Sequence, residues 1–276
     1  MTAPPTEAPI IDRTAALKLL EPVTALAAEA SEAILDVARR KIVSQDKRDG
    51  SPVTEADLAA DRIIVEGLRR LRPDIPVVSE ESVSTLAGPF PGSFFIVDPL
   101  DGTREFISGY DDYTVNIALV TQGRPLLGVV GAPALGAMWR GVVGEIAERS
   151  TVPGGAWTTI RPRAFPGAGW VAAVSRSHLD SQTAAFIRKF GGGTQLPIGS
   201  ALKFCRIAEG SADIYPRLSN ISEWDIAAGH AVVEAAGGAV TDRHGQPLRF
   251  GARKGEFLVP NFIAWGDPAQ AARLVD

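Results

Sequence analysis

The apolar run Phe94-Phe95-Ile96-Val97 passes without a break into Asp98-Pro99-Leu100-Asp101-Gly102-Thr103, and no other stretch constrains the chain as much. Consecutive large apolar residues read as a buried strand that other layers must cover. Asp98-Pro99 is expected to stop that strand. Proline holds the preceding aspartate in an extended conformation, so the chain bends sharply just beyond it, and Gly102 lets backbone approach a ligand closely. Two carboxylates three residues apart at the carboxyl end of such a strand are placed to hold a hard cation. Read as a turn alone, the same residues would only bond nearby backbone.

Other acids share this double meaning. Ile75 to Ser79 is a short apolar run that feeds Glu80-Glu81 into a loop. Thr54 resembles a helix N-cap, with Glu55 and Asp57 in the first turn of a helix running to about Arg70. Ser222-Glu223-Trp224-Asp225 opens a later helix, where an acid stabilises the helix dipole in any case. If these carboxylates converge, their mutual repulsion raises several pKa values unless a cation sits among them. An all-oxygen set suits Mg²⁺, Ca²⁺ or Mn²⁺ rather than zinc or copper. His178, His230 and His244 show no zinc-binding spacing. Cys205 is the only cysteine and lies in an apolar helical run, which points to a buried, inert thiol. Two hard cations would activate a water and stabilise a leaving oxygen in an in-line displacement. The acids therefore predict metal-dependent hydrolysis, with the substrate left open.

The rest of the chain is ordinary globular sequence: 276 residues, 45% apolar and 22% charged. A net charge of -4 gives no broad basic field, which argues against duplex nucleic acid as a partner. The first residues lack the pattern of a signal peptide, and no stretch is apolar enough to span a membrane. A cytoplasmic location is expected; loose attachment to an inner membrane and the oligomeric state are left open. Ala15 to Lys41 reads as one long helix. Thr114 to Thr121 and Pro125 to Ala132 read as a hairpin through Gln122-Gly123-Arg124, continued by strands at Trp139 to Val143 and Glu145 to Arg149. The Gly/Pro-rich segment 154–169 is taken as a crossing between an N-terminal α+β domain, 1–154, carrying most metal ligands and a C-terminal α/β domain, 155–276, completing the pocket. Beyond it, Val171 to Ser175 reads as a strand. Ser181 to Phe190, Ser200 to Glu209 and Ile226 to Ala236 read as helices, the last closed by Gly237-Gly238.

Asp98 to Phe106, DPLDGTREF, resembles the signature of the inositol monophosphatase superfamily, in the form found in 3'(2'),5'-bisphosphate nucleotidases and their bacterial CysQ branch. Further segments resemble the family in the same order: Ser51 to Asp57, Val78 to Glu81, Tyr113 to Ala118, Ser175 to His178, Gly199 to Cys205, Tyr215 to Arg217 and Trp224 to His230. The resemblance spans residues 45 to 260 and implies a layered α/β/α/β/α sandwich. It implies that Glu80, Asp98, Asp101, Asp225 and the Leu100 carbonyl are metal ligands, and that Asp57 and Thr103 activate the attacking water. Glu80, Leu100, Asp101, Gly102, Thr103 and Asp225 would surround the scissile phosphate, and His178, Ser200, Lys203 and Arg217 would contact an adenosine bisphosphate. It also implies two or three Mg²⁺ ions, Mn²⁺ as a substitute, and inhibition by Li⁺ and Ca²⁺. The implied reaction converts 3'-phosphoadenosine 5'-phosphate to AMP and phosphate, with PAPS as a second substrate, in support of sulfate assimilation. Arg104 stands where lysine is more usual, keeping the charge but not the geometry. Inositol monophosphatase or fructose-1,6-bisphosphatase activity on the same scaffold is the alternative, ahead of a non-catalytic sensor of a phosphorylated metabolite. The extra residue in Asp-x-x-Asp-Gly-Thr spoils the spacing of haloacid dehalogenase-type phosphatases.

Overall fold

The computed structural model describes residues 8–40, 42, 44–46, 50, 52–85, 92–151, 154–177, 179–251 and 257–274. Helix α1, Arg13–Ala38, begins where the Asp12 carboxylate accepts the Ala15 N–H at 2.8 Å. Strands β1, Ser44–Asp46, and β2, Pro52–Thr54, form a small antiparallel pair that leads into helix α2, Glu55–Leu71. Strand β3, Val77–Ser79, runs into a 3₁₀ turn, Glu80–Thr85. The central strand β4, Ser93–Asp101, is followed by the short helix α3, Thr103–Ile107. Strands β5, Thr114–Thr121, and β6, Arg124–Ala132, make the expected hairpin. Its turn places Gln122 at φ 49° and Gly123 at φ 73°, the left-handed pair whose twist matches the flanking strands. Strands β7, Ala137–Val142, β8, Ile146–Ser150, and β9, Thr158–Thr159, complete a seven-stranded sheet in the order β3-β4-β5-β6-β7-β8-β9.

The chain then alternates: β10, Val171–Ser175; α4, Ser181–Lys189; β11, Thr194–Ile198; α5, Leu202–Ala208; β12, Ile214–Arg217. It continues through β13, Ile221–Ser222; α6, Glu223–Ala236; β14, Ala239–Thr241; β15, Leu258–Val259; and β16, Phe262–Trp265. A five-stranded sheet forms in the order β11-β10-β12-β16-β14.

Side-chain alternation along β4 explains the layering. Phe95 and Val97 join a core with α1 and α2 on one face of the large sheet. Phe94 and Ile96 point the other way, into a core shared with Phe204 and Ile207 of α5 and Ile226 and Val233 of α6. That second core also takes in Ala173, Tyr215 and Phe262 from the five-stranded sheet. The opposite face of the smaller sheet packs Val174, Ile214 and Trp265 against Ile187 of α4. Five layers result, α/β/α/β/α, as the resemblance implied.

Helix α6 sits close to the large sheet because two facing glycines lie beneath it. Gly128 and Gly141 are register partners on β6 and β7. A Cβ at Gly128 would fall 2.2 Å from the Ala228 carbonyl oxygen, and one at Gly141 2.6 Å from the Ala235 Cβ.

Several expectations need correction. Asp98-Pro99 does not stop β4: the strand continues to Asp101, because a register shift against β5 between Asp98 and Asp101 absorbs the proline. The helix expected from Ser200 begins at Leu202, with Ser200 itself at φ 45°. The last long helix runs from Glu223 rather than Ile226, and Asp225 lies in its first turn, as the opening Ser222-Glu223-Trp224-Asp225 implies. Helix α1 ends at Ala38, short of Lys41, which lies outside the described residues. Among the described residues no helix is long and apolar enough to cross a membrane.

Candidate active site

Strand register brings the first two acids together. Strand β3 runs parallel to β4 with Ser79 opposite Val97, so the next residues emerge side by side, Glu80 just beyond the end of β3 and Asp98 within β4. Asp98 continues the alternation of Phe94 and Ile96 and therefore points towards α6. The first turn of α6 supplies Asp225. Carboxylate oxygens of Glu80, Asp98 and Asp225 all lie within 4.8 Å of one another. Asp101 is not part of that triad. It follows the irregularity in β4, and its Oδ2 accepts from Asn116 Nδ2 at 3.4 Å.

The electrostatics of this cluster bear on what it can hold. Burial first, then repulsion from Glu80, Asp101 and Asp225, raises the Asp98 pKa well above the usual carboxylate range. Asp225, hydrogen-bonded to Asp98, is raised as well, by burial and by the charges of Asp101 and Glu80. Burial pushes Asp101 up to about 6, although Lys203 pulls the other way. Acids so placed are stable only if they hold protons or surround a cation. Every donor is a carboxylate oxygen, which fits a hard divalent ion such as Mg²⁺. Sulfur and imidazole are absent from the triad: Cys205 is buried in the core, and His230 packs on Phe250 with Nε2 3.0 Å from Glu234.

Asp57 serves two structures at once. Its Oδ2 accepts from the Thr54 N–H at 2.8 Å and the Thr54 hydroxyl at 2.6 Å, closing a capping box at the start of α2. Its Oδ1 accepts from Thr103 Oγ at 3.0 Å. Thr103 Oγ also lies 3.2 Å from the Leu100 carbonyl oxygen. Between them, Gly102 adopts φ 93°, a conformation that favours glycine, packed against Asp112 and Tyr113.

Across the cleft lie Lys203, Arg217 and Ser200, which line one pocket with Asp101, Gly102 and Asp225. Lys203 Nζ donates to the Ser200 carbonyl at 2.5 Å and the Ile198 carbonyl at 3.3 Å. Burial lowers its pKa to about 8, opposed chiefly by Asp101. His178 lies outside the described residues. Glu105, Ser175 and Tyr215 also line this pocket. Glu105 reads from sequence as a plain helix acid, whereas Ser175 and Tyr215 stand in sequence inside the family-like segments Ser175 to His178 and Tyr215 to Arg217, without a site role of their own.

The chain belongs to the inositol monophosphatase family, whose model matches residues 17–274. Within that family it is similar to 3'(2'),5'-bisphosphate nucleotidase CysQ of Salmonella typhimurium, at 43% identity over 88% of this chain and 98% of that protein. The protein of the same name from Escherichia coli K12 is 41% identical over the same shares of the two chains. Among solved structures, CysQ from Bacteroides thetaiotaomicron superposes with a TM-score of 0.77 and 32% identity, covering 92% of this chain and 97% of that one.

Proposed function

We propose that this chain is a magnesium-dependent 3'(2'),5'-bisphosphate nucleotidase. It hydrolyses 3'-phosphoadenosine 5'-phosphate to AMP and phosphate, accepts PAPS as a second substrate, and acts in the cytoplasm in support of sulfate assimilation. The observation that carries the reading is the juxtaposition of the Glu80–Asp98–Asp225 triad with the Thr103–Asp57 pair, facing Lys203 and Arg217. The similarity to CysQ proteins supports the choice of nucleotide.

Glu80, Asp98, Asp225, Asp101 and the Leu100 carbonyl would hold the cations. When bound, Mg²⁺ supplies Lewis acidity that acidifies a water and neutralises charge on the phosphate. The chain's own groups manage the proton. Thr103 directs its hydroxyl hydrogen towards Asp57 Oδ1 or the Leu100 carbonyl, which leaves the Thr103 oxygen able to accept a hydrogen bond from the attacking water. A proton leaving that water passes through Thr103 to Asp57, which the capping box holds still. The N–H groups of Gly102 and Thr103 orient the scissile phosphate. Lys203 and Arg217, with Ser200 and His178, receive the rest of the nucleotide and supply the positive charge that the acidic chain otherwise lacks.

The deciding measurement compares phosphate release from adenosine 3',5'-bisphosphate, inositol 1-phosphate and fructose 1,6-bisphosphate in Mg²⁺, with and without Li⁺. The nucleotide is expected to give the highest kcat/KM and to be inhibited by Li⁺. A clear preference for either sugar phosphate would replace the nucleotidase assignment.

A further inference from the structure

We infer that Asp112 is a positioning residue for nucleotide binding: it clamps the Gly199–Ser200 turn in the shape that presents Ser200 and Lys203 to the substrate. This deepens the nucleotidase reading and rests on it.

Asp112 lies between α3 and β5, remote in sequence from the turn it touches. Its Oδ2 accepts the Gly199 N–H at 2.9 Å across 87 residues of sequence. The same oxygen pairs with Arg176 at the end of β10, whose guanidinium lies 5.3 Å from the Tyr110 ring centroid. One carboxylate thus joins the approach to β5, the end of β10 and the loop between β11 and α5. The fit is tight: a Cβ at Gly199 would stand 2.7 Å from both the Cβ and the carbonyl oxygen of Asp112.

The turn needs such a hold. Ser200 sits at φ 45°, a left-handed conformation that a serine adopts at an energetic cost, kept only where the surroundings enforce it. Three polar groups of the turn are committed: Gly199 donates to Asp112, and the Ile198 and Ser200 carbonyls accept from Lys203. The Ser200 hydroxyl, by contrast, is buried with no hydrogen-bond partner among the described residues, and Ser200 lines the cleft. A buried hydroxyl left unmatched by protein is a group waiting for a ligand oxygen or nitrogen. Asp112 fixes that hydroxyl and Lys203 in place without reaching the phosphate-cleaving carboxylates itself.

The test uses the full chain and its Asp112→Ala and Asp112→Asn variants, with adenosine 3',5'-bisphosphate as substrate. KM, kcat, half-saturating Mg²⁺ and melting temperature are measured together. Asp112→Ala is expected to raise KM about tenfold or more, the effect of losing one charge-assisted hydrogen bond. kcat and half-saturating Mg²⁺ should stay within about twofold, because the triad and Thr103 are untouched. Asp112→Asn keeps an oxygen for the Gly199 N–H but loses the charge facing Arg176, so its KM should rise less; it also decides the matter if the alanine variant does not fold. An unchanged KM, or equal losses in kcat and Mg²⁺ affinity, overturns the positioning role. If the wild-type chain itself rejects the nucleotide, the nucleotidase reading has failed and this inference falls with it.

Discussion

Thr103 Oγ lies 3.0 Å from Asp57 Oδ1, joining two residues 46 positions apart through a carboxylate that also caps helix α2. The acid that caps the helix is also the one proposed to take up the proton. Removing the hydroxyl in Thr103→Ala should lower kcat about 10²–10⁴-fold, the usual span for general-base assistance. Thr103→Ser should recover most of it. Asp57→Asn should lose turnover similarly and also about 1 kcal/mol of stability through the weakened cap. Steady-state kinetics beside thermal unfolding separate the two effects.

Asp98→Asn removes one of the mutually repelling acids. Turnover should fall by orders of magnitude while the variant stays folded. In chelator it should melt no lower than wild type, since a buried charge has been deleted. The gain in melting temperature that Mg²⁺ gives wild type should shrink. Near-normal turnover, or an undiminished Mg²⁺ shift, would count against Asp98 as a ligand.

The metal-free protein should also be sensitive to pH in a definite direction. Asp98, Asp101 and Asp225 bind protons more tightly when folded than a free aspartate, whose pKa is about 3.9. Protonation therefore favours the folded state. Stability is complete below the unfolded pKa and is lost as pH rises through the folded pKa, about 6 for Asp101. Groups with lowered pKa, such as Asp180 and Glu234, act oppositely but only at more acid pH. Melting temperatures in chelator should fall as pH rises from about 5 through about 6 by this linkage, and Mg²⁺ should flatten the slope. A flat profile in chelator would show that the acids are not in conflict.

Lys203 sets a second limit. With a pKa lowered to about 8 it is a cation below that pH and neutral above it. KM for the nucleotide should climb above about pH 8, with kcat changing less. In Lys203→Met, KM should be high throughout and that alkaline limb should vanish. Persistence of the limb in the variant would assign it elsewhere.

Much of the frame was legible in the sequence for local reasons. Helix α2 announces itself through Thr54 and Asp57, and the β5–β6 hairpin through Gln122-Gly123. Strand β4 was misjudged at its end because proline in a strand is normally a stop, and nothing local shows that β5 can absorb the irregularity. Strands β11 and β12 were missed for a different reason. Thr194–Ile198 is largely exposed and carries Pro197, while Ile214–Arg217 is four residues long with Pro216 inside. Their identity comes from neighbours, not from their own pattern. At the site, the acids ending β3 and β4 could be read because each follows an apolar run. Asp112 could not: in sequence it is one acid in a polar loop, and its partners Arg176 and Gly199 are 64 and 87 residues away.

The paired glycines of β6 and β7 act as a gauge block. They leave no clearance between sheet and helix, so two absent methyl groups set the height at which Asp225 is delivered to Asp98 and Glu80. One carbon added at Gly128 should lift the helix and carry Asp225 away from Asp98 and Glu80 while every carboxylate remains in the chain. The spacing of the three acids is thereby tied to a dimension of the scaffold that no inventory of active-site residues contains.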